Sequence, residues 1–199
     1  MQKITSTDAL VVIDAQNDFV VPAGALYVSG VKGEPDWLDV AEAILGIEGY
    51  GFGYRVTTED KHTKRHVEFD VFPPHCVDGT FGQKYTQHLE EFYLRCDRNL
   101  IKGNDSEIIA YSIATSREFP THINSLRARN IKRVFVTGWA YDYCVGESAI
   151  AYASQGFEVY VVRDATRSVG LPEGNVNVMN KKLELYGVKE TFMDFIEPS

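Results

Sequence analysis

Ala9-Leu10-Val11-Val12-Ile13 is an unbroken apolar run that ends on Asp14. Runs of this kind belong to strands buried on both faces of a parallel sheet. The pattern recurs: Tyr54 to Thr58 stops at Glu59-Asp60, Asn99-Leu100-Ile101 stops at Lys102-Gly103, and Arg133 to Thr137 stops at Gly138. Glu158 to Arg163 makes a fifth strand and Thr191 to Phe195 a sixth. Helical spacing fills the intervals. Trp37, Val40, Ile44 and Ile47 form one stripe over Asp36 to Ile47, Ile123 and Leu126 mark a helix from about Pro120 to Arg129, and Val145, Ala149, Ile150 and Ala153 precede Gly156. Val176 to Tyr186 is a further helix, stopped by Gly187. Alternating strand and helix predict one α/β domain over residues 1–199. Its architecture is a doubly wound, mostly parallel open sheet of about six strands with helices on both faces, a Rossmann-like three-layer sandwich. Phe19 to Glu34 lacks a period and reads as an ordered loop, and Asp60 to Gly82 is a second long irregular segment.

In such a sheet ligands bind beyond the carboxyl ends of the strands, and that is where the reactive residues fall. Cys144 follows the Arg133 strand and precedes a helix, so the helix dipole and free N–H groups could lower its thiol pKa below the free value of ~8.5. The alternative reading of the same segment is a buried, inert cysteine. Asp14 and Lys102 end two other strands. Brought to one edge with Cys144, they would make a nucleophile with a proton acceptor and a fixed positive charge. Three of the five histidines lie between positions 62 and 75. Asp60, His62 and a third ligand from the following loop would suit a divalent metal with open positions, and Pro73-Pro74 would stiffen the loop at His75. Phe19 and Phe72 could wall a flat pocket for a planar aromatic ligand. His88 and His122 fall in helical segments and receive no role.

The chain has 199 residues, 44% of them hydrophobic, and a formal net charge of −8. The charge argues against nucleic acid or an anionic membrane as partner. Cysteines at 76, 96 and 144 are odd in number and lack CxxC spacing, which points to a reducing, cytoplasmic setting. No segment is long and apolar enough for a transmembrane helix, and no GxGxxG or P-loop follows the first strand.

Several ordered motifs resemble the nicotinamidase/pyrazinamidase branch of the isochorismatase-like cysteine hydrolases. They are Val12-Ile-Asp14-Ala-Gln-Asn-Asp-Phe19, Gly24-Ala-Leu26, Thr58-Glu-Asp60-Lys-His62 with His66, Phe72-Pro-Pro-His75-Cys-Val-Asp-Gly79-Thr, Lys102-Gly103 with Tyr111-Ser112, and Gly138-Trp-Ala-Tyr-Asp142-Tyr-Cys144-Val145. The resemblance runs from Ala9 to about Thr166. It implies an amidohydrolase that converts nicotinamide to nicotinate and ammonia in NAD salvage, with activity on pyrazinamide as well. It further implies a catalytic triad of Asp14, Lys102 and Cys144. A cis peptide at Trp139–Ala140 would aim the N–H groups of Ala140 and Cys144 at an oxyanion. One divalent metal ion, zinc ahead of iron or manganese, would sit on Asp60, His62 and His75, with His66 a neighbour offering a further ligand. Phe19, Leu26, Phe72, Tyr111, Trp139, Ala140 and Tyr143 would contact the substrate.

Lys61, Phe72 and Tyr141 depart from the family pattern at the pocket wall and the loop of Asp60 and His62. Other small-amide or ureido hydrolases of the superfamily remain the alternative, and a binding or metal-storage protein with an inert Cys144 is the alternative from another class. A homo-oligomer is compatible with every reading.

Overall fold

The computed structural model describes residues 1–199. Its strands are β1 (Gln2–Lys3), β2 (Asp8–Ile13), β3 (Tyr54–Asp60), β4 (Arg98–Lys102), β5 (Arg133–Trp139), β6 (Glu158–Arg167), β7 (Lys189–Thr191) and β8 (Ile196–Glu197). The helices are α1 (Asn17–Val20), α2 (Trp37–Glu48), α3 (Glu90–Arg95), α4 (Phe119–Ala128), α5 (Gly146–Ser154) and α6 (Asn175–Leu185). Six strands form one sheet in the order β4-β3-β2-β5-β6-β7, with every pair parallel, while β1 and β8 make a small parallel pair of their own. The strand order reverses between β2 and β5. A crevice opens at such a reversal, beyond the carboxyl ends of the strands.

The unbroken apolar character of β2 has a direct cause: all six of its residues are buried. Ala9, Val11 and Ile13 face a core built with Ile123 and Leu126 of α4, Ala149 and Tyr152 of α5, and Leu183 of α6. Leu10 and Val12 face the other core, with Val40, Ala41, Ile44 and Ile47 of α2 and Phe92 of α3. Each large apolar side chain of the α2 stripe that leaves water stabilises the layer by roughly 1.5–3 kcal/mol. Asp36 starts α2 by accepting from the N–H groups of Leu38 and Asp39, and the Asp39 side chain reaches back to the Asp36 N–H, closing a capping box.

Two expectations shift. The sixth strand is Lys189–Thr191, ending where the aromatic run Thr191 to Phe195 begins. Phe192 and Phe195 lie about half exposed, so that run covers a surface instead of filling a sheet position. The segment Phe19 to Glu34, read as loop, begins inside the one-turn helix α1 and is otherwise irregular. Within β5, Gly138 adopts φ 106, and a Cβ there would stand 2.2 Å from the Ile13 carbonyl oxygen. Only glycine lets β5 approach β2 this closely just before the nucleophile turn.

Candidate active site

Four neighbouring strands deliver the reactive groups. Asp14 follows β2, Asp60 and Lys102 are the last residues of β3 and β4, and Cys144 lies in the wide helical turn Tyr141–Val145 between β5 and α5. The Lys102 ammonium is fully buried. It stands 2.9 Å from Asp14 Oδ2, 2.6 Å from Asp60 Oδ1 and 3.6 Å from Cys144 Sγ. A carboxylate oxygen of Asp14, one of Asp60 and the Cys144 sulfur all lie within 4.8 Å of one another. The structure thus brings Asp14, Lys102 and Cys144 together.

Asp14 is held in a left-handed backbone conformation, φ 48, by Thr58, a motif residue to which the sequence reading gave no role. Its N–H donates to Thr58 Oγ1 at 3.0 Å, and the same hydroxyl donates to Asp14 Oδ1 at 2.6 Å. Because Thr58 spends its only proton on Oδ1, the other oxygen, Oδ2, is left to face Lys102.

Burial raises the Asp14 carboxyl above the usual carboxylate range, against the opposing pull of Lys102. Burial also dominates at Cys144 and pushes the thiol well above its ordinary value; Lys102 draws it down, while Asp14 and Asp60 push it further up. The expectation of a lowered thiol pKa is therefore corrected. The field at the helix start is outweighed by removing a thiolate from water beside two carboxylates. For Asp60 burial is likewise the largest influence, yet Lys102 and the His62 ring together hold its carboxyl below the ordinary range. Lys102 loses something to burial, but the surrounding anions keep it fully charged.

Next to this cluster, ligand atoms of Asp60, His62, Glu68 and His75 lie within 4.8 Å of one another, and all four residues are buried. His62 Nδ1 is 2.9 Å from the Gly103 carbonyl and His75 Nδ1 is 2.8 Å from the Pro73 carbonyl. Each carbonyl accepts a hydrogen bond from Nδ1–H, so Nδ1 carries the proton and each Nε2 is left bare and directed to the centre of the group. His62 Nε2 is buried without a hydrogen-bond partner, 3.7 Å from Asp60 Oδ2 and 3.8 Å from Glu68 Oε2. Two imidazole nitrogens and two carboxylates fit a divalent transition-metal ion.

Glu68 was not anticipated, since nothing in its spacing separates it from Glu59 or Asp70. It sits on the one-turn helix Val67–Asp70, and its Oε1 accepts from the Ala110 N–H at 2.6 Å. His66, expected to offer a further ligand, has both nitrogens engaged elsewhere: Nε2 with the Asp105 carbonyl at 2.9 Å, and Nδ1 with the Glu68 N–H at 3.3 Å. It caps the turn that presents Glu68 and packs its ring 4.1 Å from that of His62.

A narrow pocket opens onto both groups, lined by Asp60, Glu68, His75, Cys144 and Ala140 and walled by Phe19, Leu26, Val28, Phe72, Tyr111, Tyr143 and Val169. Phe72, Tyr111 and Tyr143 contact one another edge to face at 5.2–6.3 Å between ring centroids, and Phe19 lies 5.4 Å from the His75 ring. Trp139, expected at the substrate, is not part of this wall: it is fully buried in the core on the α2 side of the sheet. The alternation of β5 turns its ring away, and Val28 and Val169 supply apolar wall that the sequence did not flag. The Trp139–Ala140 peptide is cis. The turn that follows is tied down by Asp142, whose carboxylate accepts from the N–H groups of Val169 at 2.7 Å and Gly170 at 2.9 Å. A wider open cleft of about 700 Å³, lined by Trp37, Glu59, Tyr85 and Tyr93 among others, contains neither Cys144 nor the four-donor group.

Comparison with known proteins agrees with this geometry. The isochorismatase domain model matches residues 8–184. The nicotinamidase of Saccharomyces cerevisiae is 25% identical over 211 residues, covering 90% of this chain and 96% of its own. The crystal structure of PnC1 from L. infantum in complex with nicotinate superposes with a TM-score of 0.84 at 27% identity, covering 98% of both chains. The pyrazinamidase of Pyrococcus horikoshii in complex with zinc gives 0.72 at 26% identity, covering 94% of this chain and 99% of that one.

Proposed function

Because the chain belongs to the isochorismatase family, we propose from this membership and from the site that it is a nicotinamidase, an amidohydrolase releasing nicotinate and ammonia from nicotinamide. The single observation that carries the reading is the buried Lys102 ammonium, 2.9 Å from a carboxylate and 3.6 Å from a thiol beside an aromatic pocket. Its closeness to both groups supports Asp14 as the base and Cys144 as the nucleophile. Pyrazinamide, which has the same carboxamide on a flat six-membered ring, fits the same walls.

The residues then act as follows. Asp14, a carboxyl raised by burial, accepts the Cys144 proton on Oδ2, because Thr58 already donates to Oδ1. The thiolate attacks the carboxamide carbon while Lys102 stays beside the negative charge, and the N–H groups of Ala140 and Cys144 receive the oxyanion. Asp14 returns the proton to the departing nitrogen, ammonia leaves, and a thioester remains on Cys144. Asp14 next takes a proton from water as it attacks the thioester, and acid product leaves with the thiol restored. Phe19, Phe72 and Tyr143 hold the ring flat and keep bulk water out.

Asp60, His62, Glu68 and His75 would hold one divalent ion, with zinc favoured by the two-imidazole, two-carboxylate set and by the zinc-bound pyrazinamidase relative. Bound there, it supplies an electrophilic contact for a ring nitrogen and for water at the edge of the pocket.

Ammonia release from nicotinamide, pyrazinamide and a set of ureido compounds, with and without a chelator, tests the reading. Turnover of the two ring amides, lost on chelation and restored by zinc, is the expected result. Turnover of ureido compounds alone would replace it with the alternative small-amide hydrolase.

A further inference from the structure

Gln16, Asn17 and Asp18 are consecutive, polar and buried, yet none of them lines the catalytic pocket. Gln16 uses its amide on Asp60, accepting from the N–H at 2.7 Å and donating to the carbonyl at 2.7 Å. Asn17 donates to the Phe81 carbonyl at 2.9 Å. Asp18 differs in that its two carboxylate oxygens serve two separate segments of the pocket. Oδ1 accepts from the Ala25 N–H at 2.9 Å and Oδ2 from the Cys76 N–H at 2.7 Å. Ala25 precedes the wall residue Leu26, and Cys76 follows His75 of the four-donor group.

No lysine or arginine pairs with Asp18, so its charge is answered by these backbone N–H groups. Cys76 sits at φ 45, a left-handed conformation that a residue with a side chain seldom adopts without support. The Asp18 bond to its N–H provides that support and so fixes the backbone beside the imidazole. The node is also crowded: a Cβ on Gly82 would fall 1.9 Å from Asp18 Oδ2.

We infer that Asp18 is a positioning residue that ties the metal-binding loop at His75 to the pocket wall at Leu26, so that metal affinity and substrate affinity are set together. The inference rests on the proposed function for its substrate half. Asp18→Asn is the informative variant, because it keeps the size but turns one acceptor into an N–H₂ facing a backbone N–H.

Zinc affinity of the full chain, measured without substrate by competition with a chromogenic chelator, should fall by at least about 10-fold, as expected when a supporting bond near a ligand is lost. At saturating zinc, KM for nicotinamide should rise by roughly 3- to 10-fold with kcat within about 2-fold of wild type, the split that marks lost ground-state binding. Gly82→Ala, which displaces the carboxylate without removing it, should show both losses in milder form and serves if Asp18→Asn does not fold. Zinc affinity and KM unchanged in either folded variant, or one altered without the other, would overturn the inference. A purely structural role would lower the melting temperature and leave both unchanged. Wild-type protein that binds zinc but leaves nicotinamide intact would sink the substrate reading instead, and zinc affinity alone would then judge Asp18.

Discussion

The lip of the sheet and the loop beside it that carries three of the four donors are built on different principles. Asp14, Lys102 and Cys144 are placed by strands whose ladders run through the core, so their spacing follows from the sheet itself. His62, Glu68 and His75 hang on an irregular segment whose shape depends on individual side-chain clamps: Gly103 and Pro73 carbonyls on the imidazoles, the Ala110 N–H on Glu68, and Asp18 on Cys76. Backbone ladders hold a geometry cooperatively, whereas a loop held by single bonds loses its geometry one bond at a time. The lip should therefore fail when a reacting group, or the Thr58 hydroxyl that seats Asp14, is removed. The loop should fail by degrees.

The largest effect separates the two regions. Cys144→Ala should reduce nicotinamide turnover by at least about 10³-fold, as for loss of a nucleophile, while zinc content measured by mass spectrometry stays at the wild-type level. Loss of metal together with activity would show that the two regions are not independent. Glu68→Gln makes the reciprocal break. Removing one of the two carboxylate charges in the four-donor set should weaken zinc binding by about 10- to 100-fold, with alkylation of Cys144 proceeding at an essentially wild-type rate. Unchanged zinc affinity would remove Glu68 from the ligand set.

His122 tests the scaffold under the lip. Its Nε2 meets the Tyr152 hydroxyl at 2.9 Å, its Nδ1 is buried without a partner, and burial, with a smaller contribution from Arg98, lowers its pKa to about 4. The folded state takes up this proton less readily than the unfolded chain, whose histidine titrates near 6.5, so stability is complete above about 6.5 and falls as pH drops toward 4. Urea melts at pH 7 and pH 4.5 should differ by up to about 3 kcal/mol from this residue, and His122→Gln should flatten that difference. An unaltered slope would show that the ring protonates freely in the folded protein.

The smallest expected change is Thr58→Val. It leaves the Asp14 N–H and Oδ1 without a partner at a cost of about 1–3 kcal/mol, and kcat should fall by roughly 5- to 50-fold with KM little changed. Thr58→Ser should restore most of the rate. A slow serine variant would assign the effect to packing of the methyl group.

How much could be read beforehand follows the same division. Strands buried on both faces announce themselves as apolar runs, and three of those runs stop at Asp14, at Lys102 and at the glycine leading to Cys144, so the lip is legible. The family resemblance carried Asp60, His62 and His75. Glu68 carried no signal because a carboxylate on a one-turn helix has no periodic signature, and His66, read as a neighbour offering a further ligand, caps the turn that presents it. Trp139 was placed at the pocket by motif alone, although strand alternation sends its ring into the core. The thiol was misjudged because helix direction is visible in a sequence and depth of burial is not. The sixth strand was displaced because Phe192 and Phe195 mimic a strand while lying on the surface.

The closeness of Lys102 to both Asp14 and Cys144 has a consequence for the energetics of the proposed first step. When the proton passes from sulfur to carboxylate in that step, one unit of negative charge moves from an oxygen 2.9 Å from the ammonium to a sulfur 3.6 Å from it. The total charge enclosed by the protein does not change. Solvent need not reorganise around a newly created ion, and added salt should have little purchase on this step.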